Sequence, residues 1–164
     1  MKITILMLMI SISLQAQKYR NNPVAHKPLG KVLLAIDNAK ISCFINKHYK
    51  AAKRLEQDYG IPPALTIAQA AIESGWGKSR LATEDNNYFG IRRNHKNMKY
   101  NSISESFEDY AAVLQNRCYN LHAPKNLEEW MQALTECRYC IKKGYTGHLK
   151  QIIKKYNLEI LCTF

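Results

Sequence analysis

Acidic residues are scarce in this chain, and one stretch has none. Asp and Glu number 13 against 24 Lys and Arg over 164 residues, a formal charge of +11. A protein so charged concentrates near polyanions: nucleic acid, anionic lipid or an anionic wall polymer. Its basic residues are spread along the chain, although Lys142, Lys143, Lys150, Lys154 and Lys155 make the last third distinctly basic. A solvated basic face would account for them without any partner. There is no internal repeat and no low-complexity segment. No apolar run is long enough to span a bilayer comfortably, since Ile3 to Leu14 is short and broken by Ser11 and Ser13. No set of ligands has zinc spacing either. Cys137 and Cys140 make a half-site, but His122 and His148 complete no known pattern with them. A redox reading of the same pair lacks its strand–motif–helix context. Neither a metal nor a cofactor is therefore expected.

The 164 residues suit one domain, and 46% hydrophobic content supports a packed core. The five cysteines are Cys43, Cys118, Cys137, Cys140 and Cys162, an odd number, so one at least is free or pairs between molecules. They read as small buried residues or as structural disulfides of an exported protein. Cys43 and Cys162, in the two terminal helical regions, are one candidate pair. Export also fits residues 1–16, which resemble a signal peptide. Lys2 is its basic start, Ile3 to Leu14 its apolar stretch and Ala16 its cleavage residue. No cysteine follows to accept a lipid. Residues 17–30 are polar, contain Pro23 and Pro28, and read as a linker to a domain over 31–164.

Within that domain, Ile41, Phe44, Ile45, Ala52, Leu55 and Tyr59 recur at helical spacing, predicting helix from Lys31 to Tyr59 in one or two pieces. Gly60 ends it. Pro62 and Pro63 then open a second helix, since proline in the first turn loses no hydrogen bond. From Ala64 to Ile72 nearly every residue is apolar or small, which predicts a helix buried on all sides. It ends on Glu73, and Gly75 and Gly77 stop it. A buried helix that delivers one carboxylate at its tip is suited to a desolvated acid. Desolvation disfavours charge, and a general acid must hold its proton until the leaving oxygen takes it. The plainer alternative is a surface glutamate facing the negative end of the helix dipole. Further on, Ser102 and Glu105 fit a capping box over a helix to about Gln115, and Asn126 caps another to about Thr135, with Trp130 inward. A last helix runs from about Thr146 to Tyr156.

The run Ala68-Gln69-Ala70-Ala71-Ile72-Glu73-Ser74-Gly75-Trp76-Gly77-Lys78-Ser79, followed by Asn86-Asn87-Tyr88-Phe89-Gly90-Ile91-Arg92, resembles the peptidoglycan endo-β-N-acetylglucosaminidases, glycoside hydrolase family 73 of the flagellar-rod muralytic type. Tyr100-Asn101-Ser102 and Glu105-Ser106-Phe107-Glu108-Asp109-Tyr110 continue it in order, and it covers roughly Ile41 to Leu158. The resemblance implies a mostly α, α+β lysozyme-like fold and cleavage of the β-1,4 bond of the glycan strand. The implied partner is peptidoglycan, not nucleic acid, and no stable membrane insertion follows signal cleavage. The implied location is periplasmic or extracellular. Glu73 takes the place of the general acid. Asn87 and Phe89 fall in a segment that lines the sugar cleft, with Tyr88 and Trp76 as sugar-stacking candidates; for Trp76 and Phe89 a packing role is the alternative. Tyr100 is a further substrate-side candidate. Tyr139 and Tyr145 match the two tyrosines of a family segment facing the acid, Tyr139 as a second catalytic residue.

The chain departs from the family in two places. No Asp or Glu lies between Ile91 and Asn101, where relatives place a longer hairpin lobe and often a second acid. Lys142 stands where the family has an aspartate. The expectation is therefore a much reduced β-hairpin lobe and a single-glutamate mechanism, with assistance from the substrate's own 2-acetamido group. The alternatives are a lytic transglycosylase and a non-catalytic wall-binding protein on the same fold.

Overall fold

The computed structural model describes residues 38–119, 124–140 and 143–162. The expected signal peptide, the linker and the start of the 31–164 domain lie outside the described residues, as do His122 and Lys142.

The first helix, α1, is Ala39–Tyr59, a single piece in its described part. Asn38 starts it, its side-chain oxygen accepting from the backbone N–H of Lys40 and Ile41. α2 is Pro63–Ser74, with Pro63 in its first turn and Gly75 in left-handed backbone at its end. Its residues from Pro63 to Ala71 are all buried. This is the helix that the others cover: α1 packs on it from one side and later elements from the other. A short α3, Arg80–Asp85, follows with Ser79 as its cap.

The only sheet among the described residues is a hairpin of β1, Arg92–Arg93, and β2, Lys96–Asn97, in antiparallel register with Arg92 opposite Asn97. Asn94 and His95 turn it at φ 48° and 62°. Two consecutive positive φ values give the two-residue turn that matches strand twist. The expected reduction of the β lobe is thus extreme: four strand residues, all exposed.

α4, Ile103–Leu114, carries the expected capping box, with Ser102 accepting from the Glu105 N–H and Glu105 accepting from the Asn101 N–H at 2.7 Å. A π-helical turn, Gln115–Tyr119, extends it. α5 is Leu127–Glu136, capped by Asn126, and α6 is Tyr145–Lys155. A 3-10 turn, Leu158–Leu161, closes onto α2. Trp130 is fully buried and donates its indole N–H to the Gly60 carbonyl at 2.8 Å, tying α5 to the end of α1.

The cysteines pair differently from the candidate considered in the sequence. Cys118 and Cys137 form the disulfide, joining the π-helical turn to the end of α5, while Cys43 is exposed and free and Cys162 is buried and free. Cys137 therefore bonds away from its near neighbour Cys140, and the pair is no metal half-site. Among the described residues no group of His, Cys, Asp and Glu is placed to hold a metal ion. No helix among them is long and apolar enough to cross a membrane.

Candidate active site

Glu73 stands at the penultimate position of α2, where the buried helix reaches the surface. Its side chain is exposed. This corrects the expectation of a desolvated acid: the helix is buried almost to its end, but its tip is not. The turn that follows is unusually rigid. Ser74 is buried, donates its hydroxyl to the Ala70 carbonyl at 2.5 Å and accepts from the Gly77 N–H at 2.8 Å. Trp76 has φ 58° and Gly77 φ 76°. A Cβ at Gly77 would sit 3.3 Å from the Phe44 ring, so that position has both the backbone and the space of a glycine.

What holds Glu73 comes from a part of the chain distant in sequence. The Tyr145 hydroxyl, at the start of α6, donates to Glu73 Oε1 at 2.8 Å. It accepts in turn from Gln69 Nε2 at 3.1 Å. Gln69 Oε1 accepts from the Tyr110 hydroxyl. Phe89 stacks on the Tyr110 ring, centroids 3.9 Å apart. A line of contacts thus runs from the core to the carboxylate: Phe89, Tyr110, Gln69, Tyr145, Glu73. Gln69 and Tyr110 are fully buried. Burial disfavours ionisation, and it is the main reason the Tyr110, Tyr145 and Tyr139 phenols all titrate well above the ordinary tyrosine value. The Glu73 carboxylate pushes each further in the same direction. All three remain protonated at neutral pH and able to donate.

Tyr139 lies beside Tyr145, ring centroids 6.1 Å apart, and is half-buried. Three of the residues singled out in the sequence, Glu73, Tyr139 and Tyr145, are therefore together, although 72 positions separate Glu73 from Tyr145. The remainder divide. Trp76 is half-buried, edge-on to Phe44 and Tyr156 at 5.4 and 5.1 Å. Tyr88 is buried against His48 at 4.4 Å, and its hydroxyl accepts from Lys47 Nζ at 3.2 Å. Asn87 is buried, its amide bonded to the Ile91 and Met98 carbonyls at 2.9 and 3.0 Å, so its polar atoms fasten the loop to the hairpin. Tyr100 is buried and donates to Asp109 at 2.6 Å, under the ion pair between Asp109 and Arg93. Asn87, Phe89 and Tyr100 offer no exposed group to a ligand. They support the frame.

Gln69 and Tyr110 were not anticipated as site residues. A signal for Gln69 existed: it is the one amide in a helix otherwise small and apolar, and a buried amide must find partners. The other carboxylates around the hairpin are occupied. Asp85 pairs with Lys99 at 3.2 Å, Asp109 with Arg93, and Glu105 caps its helix.

A family model described as mannosyl-glycoprotein endo-beta-N-acetylglucosaminidase matches residues 49–158. Among curated proteins, the chain is 29% identical to the exo-glucosaminidase LytG of Bacillus subtilis over 71% of its own length and 51% of that protein. It is 30% identical to the peptidoglycan hydrolase FlgJ of Pseudomonas aeruginosa over 80% of its own length and 40% of that protein. The chain thus spans about half or less of the curated relatives it matches. Among solved structures, the catalytic domain of the autolysin Auto of Listeria monocytogenes superposes with a TM-score of 0.66 at 27% identity, over 85% of this chain and 99% of that domain.

Proposed function

We propose, from the premise that this chain belongs to the glucosaminidase family, that it hydrolyses the β-1,4 glycosidic bond of peptidoglycan glycan strands on the N-acetylglucosamine side. Glu73 is the general acid. The observation that carries this reading is its hydrogen bond from Tyr145. A phenol donating to Oε1 fixes the carboxyl plane, and no described residue engages Oε2. The acid proton on Oε2 passes to the departing glycosidic oxygen as the C1–O bond breaks. The cationic sugar that forms needs a partner. No second carboxylate in the described residues stands ready for it, since those nearest the hairpin are paired. The acetamido oxygen of the substrate fills the role, attacking C1 to close an oxazolinium ring, with Tyr139 orienting it. Water then attacks C1, the ring oxygen leaves, and Glu73 recovers its proton from that water. Trp76, on the rigid turn beside the acid, is a sugar-stacking surface. A wall polymer lies outside the cytoplasmic membrane, so the proposed location is the periplasm or the space beyond the cell, in keeping with the expected signal peptide.

The test is digestion of purified peptidoglycan by the wild type and Glu73→Gln, with mass spectrometry of the fragments. Reducing N-acetylglucosamine ends, absent with Glu73→Gln, are expected. Anhydro-muramic ends would move the protein to the lytic transglycosylases, and co-sedimentation without products would make it a binding protein.

A further inference from the structure

We infer that the cavity beside Tyr145 receives the carboxylates of the peptide carried by the glycan strand. The inference rests on the proposed function and adds a substituent that the site selects for. The cavity measures about 390 Å³, in the range of small-molecule sites and too small for a folded partner. Its walls include Thr135 and Arg138 at the end of α5, and Lys143, Tyr145 and Thr146 around the start of α6. No carboxylate among the described residues lines it. Arg138 and Lys143 are both exposed, so their charges face whatever enters. The Thr135 hydroxyl donates to the Met131 carbonyl at 3.0 Å and lies 3.1 Å from the Thr146 hydroxyl, so both are held within the wall and the recognising groups are the two cations.

Two further observations narrow the occupant. Tyr145 belongs to the cavity and to the acid at once, its hydroxyl being the group that holds Glu73. A group seated in the cavity is then attached to the strand within a sugar or two of the bond at Glu73. On peptidoglycan, the substituent found there, on alternate sugars, is a peptide with free carboxylates. The second observation is the backbone of Arg138. Its N–H bonds the Thr135 carbonyl at 3.3 Å, and the Tyr139 N–H bonds the Leu134 carbonyl at 3.1 Å. This is the helix ending that calls for a left-handed residue, usually glycine, at the position Arg138 occupies with φ 51°. The chain keeps a long cationic side chain where glycine would be unstrained, and strain held in this way points to a use for the side chain.

The test sets a fluorescently labelled disaccharide-peptide against the same fragment with its peptide carboxylates amidated, measuring binding to the purified protein by anisotropy at low salt. Cleavage of glycan strands with free or amidated peptides is a second readout. The free-carboxylate fragment is expected to bind about fivefold tighter, the scale of two exposed ion pairs. That preference is expected to vanish in the double variant Arg138→Gly, Lys143→Gln, with a circular-dichroism melt reporting its fold. Should that variant melt early, Lys143→Gln alone carries the test, with a smaller loss of preference expected. Equal binding of the two fragments by the wild type overturns the inference. So does a preference that survives in the folded variants, and so does a cavity that takes a soluble glycerol-phosphate polymer but not the peptide fragment. Binding preference without cleavage of either strand removes the hydrolase reading and leaves the cavity assignment standing. Cleavage without preference does the reverse.

Discussion

Tyr145 fixes Oε1 of Glu73, and its ring position is itself fixed by Gln69. Hydrogen bonds to charged groups are worth about 1.5–3 kcal/mol. Tyr145→Phe is therefore expected to lower kcat by about 10- to 100-fold with little change in KM, measured as release of reducing ends. Gln69→Leu removes the acceptor of the buried Tyr110 hydroxyl and the donor to the half-buried Tyr145 hydroxyl. It is expected to lower kcat and also to destabilise the fold by about 2 kcal/mol, read from urea unfolding. The helix that carries Glu73 was legible in the sequence because a proline pair and two glycines bracket it. The exposure of Glu73 was not, since helix period says nothing about how far a tip protrudes. Tyr110 was invisible for another reason: its partner Gln69 lies 41 positions away, and no local pattern encodes that meeting.

Among the elements, the turn after α2 and the ending of α5 contrast. Gly77 has the backbone and the clearance of a glycine. Gly77→Ala, with its new methyl 3.3 Å from Phe44 and φ at 76°, is expected to cost about 1–2 kcal/mol, measured as a fall in Tm. Arg138 has that backbone without being glycine. Arg138→Gly is expected to raise stability by up to about 1 kcal/mol, in the same assay. The helices were largely legible: the boundaries of α2, α4 and α5 follow from proline, capping residues and glycine. The reduced lobe was legible but its two strands were not, because two-residue strands carry no alternation. The disulfide was not legible at all, as five cysteines admit many pairings and only the fold brings Cys118 to Cys137.

At the scale of the whole molecule, two groups govern how the fold responds to its surroundings. His48 is buried among Phe44, Tyr88 and Phe107, donates Nδ1–H to the Phe44 carbonyl at 2.7 Å, and has no partner at Nε2. Burial lowers its pKa from 6.5 to about 4. The unfolded chain then binds a proton between those values that the folded chain refuses, so stability is present above pH 6.5 and is lost as pH falls toward 4. The loss is on the order of 3 kcal/mol, seen as a falling Tm that flattens in His48→Gln. The Cys118–Cys137 bond closes a loop of sequence separation 19, worth about 3 kcal/mol. Reduction with dithiothreitol is expected to lower Tm by several degrees, by an amount that Cys118→Ser reproduces.

The line from Phe89 to Glu73 begins in the middle of the hydrophobic core and ends at Oε1, the carboxylate oxygen that Tyr145 holds. Tolerance to change is then not divided in the usual way between an interior that answers to folding and a surface that answers to chemistry. A conservative swap at Tyr110, such as Tyr110→Phe, leaves the buried Gln69 Oε1 without its donor and so acts on the core and on the hold of the acid together. Substitution at Phe89, Tyr110 or Gln69 therefore answers to the acid as well as to the core.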